Sequence, residues 1–477
     1  MPSNMSSVEA TTRNEEPSPA TPLLGDPQHQ KKGRSNIRAL AICAAFIFIV
    51  DFASDLQFAP TNQLLELSVC RSYYRSVDPS TIAPDSTVLA RSCKIDAIQK
   101  EVAVLRGWLG LAQALPGLLL AIPYGLLAQR YGRKLVAALG ISGEILAGLW
   151  IWIACHYSPR FSGWAIAISA IIRFIGGGSS VMSSMVLALV SSFASPHSRT
   201  RVFFYMAVSQ MVSGLLSPPL SSLLLSRYGP DIPYLMGTPL ELVGYLGIYM
   251  LPNPDPSYGN CNESGEGESQ PPRARKATHL KEVFSYLLSP TGLLPLLLAF
   301  MVHKLSRQIE ELIVQYMTVR FGWTVAQSGY LLSLVAAMHI ILACAVLPWT
   351  HRSLLTIYAR HNAARADLLL AKGSIVFLAL GPLIMGLASR PGVLVLGLML
   401  FIMGTGFRQS VQSYLTGAVP PENIALLYTS ITVLDALGSL AAAPLLAYTL
   451  AAGIQAGGMA MGLPFLFAAG LSQQSAH

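Results

Sequence analysis

The sequence predicts an all-α membrane protein whose twelve transmembrane helices form two six-helix halves. Three observations predict it. Of the 477 residues 52% are hydrophobic and only 12% charged, a balance unlike that of a water-soluble domain. The apolar residues fall in long runs separated by short polar loops. Each run is near the roughly 20 residues that a bilayer crossing needs, and helices cross because their backbone bonds are satisfied internally. A tract rich in Pro, Asn, Gly, Ser and Glu, from residue 252 to about 277, divides these runs six and six.

Residues 1–35 are polar and rich in Pro and Ser, so they read as a disordered cytoplasmic tail and not as a cleavable signal peptide. The first half covers 36–251, with spans at 37–57, 106–127, 135–155, 163–190, 202–225 and 232–251. Between its first two spans lies one long external loop, 58–104. A cytoplasmic linker, 252–289, ends in residues with apolar side chains at helical spacing, which suggests an amphipathic helix on the inner surface. The second half, 290–472, carries spans at 291–317, 326–348, 369–388, 391–414, 423–448 and a short last one at 454–471, before a tail at 473–477.

The net charge of +8 does not indicate a nucleic-acid partner, because its placement reports topology. Lys31, Lys32, Arg34 and Arg38 precede the first span, and further clusters follow spans two, four, six and eight. The opposite short loops carry about one cation each, namely Arg160, Arg227, Arg320 and Arg390. By the positive-inside rule both termini lie in the cytoplasm, and the plasma membrane is the expected location. Of the six cysteines, Cys70 and Cys93 share the long external loop, an oxidising location. They are read as a disulfide, with two free thiols on a solvated loop as the alternative.

The loop after span two reads Gly125-Leu-Leu-Ala-Gln-Arg-Tyr-Gly-Arg-Lys-Leu135. It resembles the signature loop of the major facilitator superfamily of secondary transporters, roughly G-x-L-a-D-r-x-G-R-K, with Gln129 where that family has an aspartate. Span four contains Arg173-Phe-Ile-Gly-Gly-Gly178, similar to the family's second motif. In span five, Gly214 and Pro219 match the antiporter pattern G-x-x-x-G-P-x-x-G, while Pro218 and Ser222 replace its other glycines. The long external loop, running into Leu105-Arg-Gly-Trp108, is similar to fungal members associated with small-metabolite export, and more distantly to the proton-coupled folate transporter branch. The resemblance implies alternating access of the two halves, with spans one, four, seven and ten lining a central cavity. It also implies a gate at Gly125, Gln129, Arg130, Gly132, Arg133 and Lys134 that ties the cytoplasmic ends together.

No phosphate-binding glycine–lysine loop is found, and His, Cys and acids do not cluster at metal-ligand spacing, so neither an enzyme nor a cofactor is expected. Charge inside a membrane is costly and marks a pathway. Asp51 and Asp55, four apart in span one, share a face. A carboxyl group withdrawn from water can exchange a proton near neutral pH, so Asp51 is either a proton carrier or the fixed partner of a buried arginine. Asp55 reads as a solvated helix end. Arg173 falls near the depth of Asp51 and is the arginine expected to face it. His303 is a second proton candidate, the alternative being a histidine held by a backbone or hydroxyl group. Lys304, Gln308, Glu311 and Gln315 make a polar stripe in span seven, where Arg307 can reach Glu310 or Glu311. Arg408 could pair with Asp435, and Glu144 and Glu241 have no expected partner. Lys304, Arg307, Glu311 and Arg408 are the substrate-cavity candidates. The expected function is proton-driven export of a moderately hydrophobic small molecule by a monomer in the bilayer. The alternative is proton-coupled import of a nutrient or vitamin-like anion, with Arg173 or Arg408 binding its carboxylate.

Overall fold

The computed structural model describes residues 27–82, 88, 92–157, 163–193, 199–250, 303–304, 308–357, 363–418 and 424–474. Among these residues every regular element is helical, and nine helical stretches are long and apolar enough to cross a membrane. The expected linker at 252–289, with its amphipathic helix, and most of span seven lie outside the described residues.

Span one is helix α1, Pro27–Val77. It begins inside the expected disordered tail, because Pro27 suits a first helical position and good helix formers such as Gln28, Lys31, Lys32 and Arg34 follow it. It also runs 20 residues beyond the predicted end at 57, a correction to the expected external loop 58–104. Residues 58–77 are too polar to read as a span, yet Leu64, Leu65, Val69 and Cys70 are buried. Leu64 and Leu65 pack with Leu109, Ile151 and Tyr234, while Val69 and Cys70 pack with Cys93, Ile98 and Val102. The loop is thereby reduced to residues 78–95. Its Asp78 accepts from the Ser80 hydroxyl at 2.5 Å and the Thr81 hydroxyl at 2.9 Å, bonds that hold this exposed carboxyl below its ordinary pKa. The Cys70–Cys93 disulfide is present, with Cα atoms 5.3 Å apart.

Spans two and three are α2 (Asp96–Tyr131) and α3 (Arg133–Tyr157). They meet at Gly132, whose φ of 94° lies in the region that a side chain disfavours. Span four is not continuous. Helix α4 (Gly163–Arg173) ends at the arginine, and α5 (Gly178–Phe193) restarts after a turn in which Gly177 and Gly178 have φ of 74° and 73°. The break leaves carbonyls without helical partners, and the Tyr124 hydroxyl of α2 donates to those of Phe174, at 3.2 Å, and Ile175. Spans five and six are α6 (Arg199–Tyr228), which continues through Pro218 and Pro219, and α7 (Asp231–Met250).

In the second half, α8 (Ile309–Phe321) is the described part of span seven. Gly322 closes it, and a Thr324–Gln327 capping box opens α9 (Val325–Ile341). A π-helical segment, Leu342–Val346, joins α9 to α10 (Leu347–Ile357), so span eight extends past its predicted end at 348. Span nine is α11 (Ala363–Leu387). Span ten breaks at Thr405 into α12 (Pro391–Gly404) and α13 (Gly406–Ala418), the counterpart of the break in span four. Span eleven, α14 (Ile424–Ala456), overruns its predicted end at 448, and the last helix, α15 (Leu463–Gln474), starts later than predicted. A short 3-10 turn, Gly458–Gly462, separates them.

The halves meet along two helix pairs, α2 with α14 and α6 with α9. Small residues make the approach close. A Cβ on Gly107 would lie 2.4 Å from the Ala447 Cβ, and one on Gly329 would lie 2.3 Å from the Ser222 Oγ. Large apolar side chains such as Leu119, Leu216, Leu242, Val376 and Leu396 remain exposed, as lipid-facing positions should.

Candidate functional site

A polar cavity of about 220 Å³ lies among α1, α2, α3, α4, α7 and α8. Its wall includes Arg106 and Gln113 from α2, Glu144 from α3, Arg173 from α4, Glu241 from α7 and Glu311 from α8. Arg173, the last residue of α4, projects where the span breaks. Its Nε donates to Glu144 Oε2 at 2.9 Å, and the two side chains are 12% and 21% exposed. Glu241 stands within electrostatic range of both, and Arg173 Nη1 is buried with no hydrogen-bond partner. The expected facing of Arg173 and Asp51 is therefore corrected. Its position along the span brings Arg173 into the interior, but rotation about the helix turns it to α3.

Asp51 and Asp55 face α6 instead. Asp51 lies beside the Gln210 side chain, and its Oδ2 is buried without a hydrogen-bond partner. Ser213 Oγ donates to Asp55 Oδ2 at 3.4 Å. Among the described residues no cation lies within ion-pair distance of either carboxyl group. Asp55 is half-buried, not a solvated helix end, because α1 continues to Val77. It sits where the halves meet: a Cβ on Gly214 would be 3.8 Å from Asp55 Oδ2 and 3.7 Å from Ala336 Cβ of α9. Within the first half, serines four apart on α6 tie it to α1: in addition to Ser213, the hydroxyls of Ser209, Ser217 and Ser221 donate to the carbonyls of Ala44, Phe52 and Leu56 at 3.2, 2.8 and 2.7 Å.

The remaining candidates divide. His303 is 4% exposed, its ring 6.1 Å from that of Phe407 on α13. Lys304 is half-buried and interacts electrostatically with Glu311, whose carboxylate accepts from Gln308 Nε2. Arg307 lies outside the described residues. Arg408 pairs with Asp435, Nη2 to Oδ2, at 2.6 Å, as the sequence suggested. In the signature loop, Arg133 Nη1 donates to the Ala188 carbonyl at 2.9 Å and Arg130 is exposed, while the side chain of Gln129 lies outside the described residues. A Cβ on Gly125 or Gly132 would meet nothing within 4 Å. Of the expected set, the cavity wall brings together Arg173 and Glu311, without Asp51, His303 or Arg408.

Sequence reasoning missed a second feature, a polar network at the disulfide end of the seam. Lys94 Nζ pairs with Glu66 Oε1 at 2.6 Å. Gln99 Nε2 donates to the same oxygen at 2.7 Å and to the Cys93 carbonyl at 2.9 Å. Across the seam, Gln315 Nε2 of α8 donates to the Gln99 carbonyl at 3.3 Å. Arg106 returns the contact, Nη1 to Gln315 Oε1 at 3.0 Å and Nη2 to the Glu311 carbonyl at 3.5 Å. Lys100 Nζ adds a bond to Gln455 Oε1 of α14 at 2.8 Å. Glu66, Gln99 and Gln315 are buried, so the bonds that Gln99 makes to Glu66, the Cys93 carbonyl and Gln315 are shielded from competing water. The signals in the sequence were Arg106, a cation at the predicted start of a span, and the polar stripe of span seven that includes Gln315.

Comparison with known proteins fits this architecture. The profile described as Major Facilitator Superfamily matches residues 98–443. The chain is 27% identical over 472 residues to "MFS efflux pump atnC" of Emericella nidulans, covering 95% of this chain and 89% of that one. It is 28% identical over 448 residues to "Efflux pump ustT" of Aspergillus flavus, covering 90% and 86%. Among solved structures, the nucleoside transporter NupG superposes with a TM-score of 0.59 at 15% identity, covering 90% of this chain and 98% of that one. The human organic anion transporter MFSD10 superposes with a TM-score of 0.56 at 19% identity, covering 92% and 98%. At these identities the superpositions speak to the fold alone.

Proposed function

The chain belongs to the major facilitator superfamily of membrane transporters, and from that premise we propose that it exports a moderately hydrophobic small molecule, such as a secondary metabolite, driven by protons. The observation that carries the direction is the likeness, over nearly the whole chain, to fungal proteins named as efflux pumps. The two halves, 36–251 and 290–472 joined by the linker 252–289, rock about a central cavity in alternating access. Both termini face the cytoplasm, the protein works as a monomer, and it resides in the plasma membrane. The disulfide then lies on the outer side, and the seam network of Glu66, Gln99, Arg106 and Gln315 is the outer gate.

Proton coupling is assigned to Asp51 together with Asp55. The support is their lack of a cationic partner among the described residues, while Arg173, the cation expected to face Asp51, is held by Glu144. A carboxylate in the membrane interior with no cation beside it is costly, so uptake of a proton is the natural way to neutralise it. Import of an organic anion through Arg173 or Arg408 has less support, since both guanidinium groups already hold carboxylates. The test compares intracellular and secreted small molecules in cells with and without the protein. Export requires compounds that are retained when the protein is missing; a compound that fails to enter instead overturns the direction.

A further inference from the structure

The cavity wall holds two guanidinium groups in different electrostatic states. Arg173 is ion-paired with Glu144 at 2.9 Å. Arg106 has no carboxylate oxygen within ion-pair distance among the described residues, although the carboxylates of Glu311, on the same wall, and of Glu66 act on it from farther away. Both acceptors of its hydrogen bonds are neutral, the Gln315 side-chain amide and the Glu311 backbone carbonyl. It is half-buried and lines the cavity, where charges interact more strongly than at a free surface. A carboxylate presented to such a guanidinium gains bonds roughly twice as strong as the neutral ones it replaces, and in the two-pronged geometry that Arg favours. The apolar part of the same wall, Phe58, Leu65, Leu109 and Ile151, suits a hydrophobic body attached to that group.

We propose that Arg106 is the anion-binding residue of the cavity, and that the cargo is an amphipathic organic acid whose carboxylate or equivalent oxyanion pairs with it. The inference rests on the transporter reading and names the cargo's chemistry within it. It also gives the outer seam a role. Arg106 bonds across the seam to Gln315, so an acid that claims the guanidinium competes with the latch between the halves. By linkage, acid binding weakens the latch by the same factor by which closure of the latch weakens acid binding, so a variant that loosens the latch should bind the acid more tightly.

The test uses the purified full chain in detergent, titrated calorimetrically with 2-naphthoate and with its methyl ester, against protein-free micelles as blank. Wild type should bind the acid at least tenfold more tightly than the ester, and Arg106→Gln should abolish that preference. Arg106→Lys, which keeps the charge and loses the fork, should weaken acid binding at least threefold. Gln315→Ala, which leaves the guanidinium in place, should bind the acid at least threefold more tightly than wild type. No saturable binding of the acid, no preference over the ester, or a preference retained in Arg106→Gln overturns the proposal. Should Arg106→Gln fail to fold, unchanged acid affinity in Arg106→Lys or Gln315→Ala overturns it equally. Binding in detergent needs neither a gradient nor a direction, so failure here leaves the export reading standing.

Discussion

Replacing Cys70 and Cys93 together by serine should release the outer gate without touching any of its hydrogen-bonding side chains. The bridge closes a separation of 23 residues, and on the chain-entropy relation that loop is worth about 3.4 kcal/mol at 25 °C. If the whole constraint is lost, opening of the segment becomes roughly 300-fold more frequent. The effect reaches the seam through named atoms. Cys93 contributes the carbonyl that Gln99 Nε2 donates to at 2.9 Å, and the carbonyl of Gln99 in turn accepts from Gln315 of the other half. Native-state hydrogen exchange reads this directly at the amides of Thr81, Ile82 and Gln99, which donate to Asp78, Pro79 and Ile95. Their protection should fall by about two decades, while amides in the middle of α3 stay unchanged. A fall of less than tenfold at Gln99 would refute the argument that the bridge holds the gate residues in place.

Two further predictions concern the first half. Glu144→Gln leaves the Arg173 guanidinium without its carboxylate; a fully buried pair would lose roughly 3–5 kcal/mol, and with 12% and 21% exposure and Glu241 nearby the loss should be about 2 kcal/mol. A lowered thermal-unfolding midpoint in detergent reads it, and Glu144→Gln with Glu241→Gln should cost more than the sum of the singles; simple additivity would mean that the three charges do not act together. Gln129→Asp restores the carboxylate of the family's loop and should favour closure at the signature-loop end, because charge-assisted bonds are about twice as strong as neutral ones. Labelling of a cysteine substituted for the exposed Leu126 should slow; an unchanged rate would refute the reading of Gln129 as a weakened inner lock.

The fold was legible where the signal is local. Apolar runs of bilayer length, the glycines and cations of 125–135, and two cysteines in one loop each declare themselves within a short window, and the Arg408–Asp435 pair is suggested by opposite charges in consecutive spans. The extension of α1 was not legible, because residues such as Asn62, Gln63 and Glu66 break an apolar run even though Leu64, Leu65 and Val69 anchor the helix. Arg173 found Glu144 and not Asp51 because counting residues from the membrane surface gives depth but not rotation. The breaks at Gly177 and Thr405 were likewise hidden inside hydrophobic runs. The outer seam was least legible of all: Gln99 and Gln315 are 216 residues apart, and Arg106 and Gln315 are 209 apart. Neutral glutamines in a span carry no charge pattern to announce a pairing, so only their proximity in the fold makes the network visible.

The central claim is that protons drive export through the carboxyl groups of α1. In proteoliposomes carrying the full chain and loaded with a cargo taken from the secreted small molecules, an imposed pH gradient should drive cargo movement against the proton flow. Asp51→Asn should abolish the dependence on the gradient while leaving exchange of cargo down its own gradient intact. Gradient-driven transport undiminished in Asp51→Asn and in the Asp51→Asn, Asp55→Asn double variant would contradict the account.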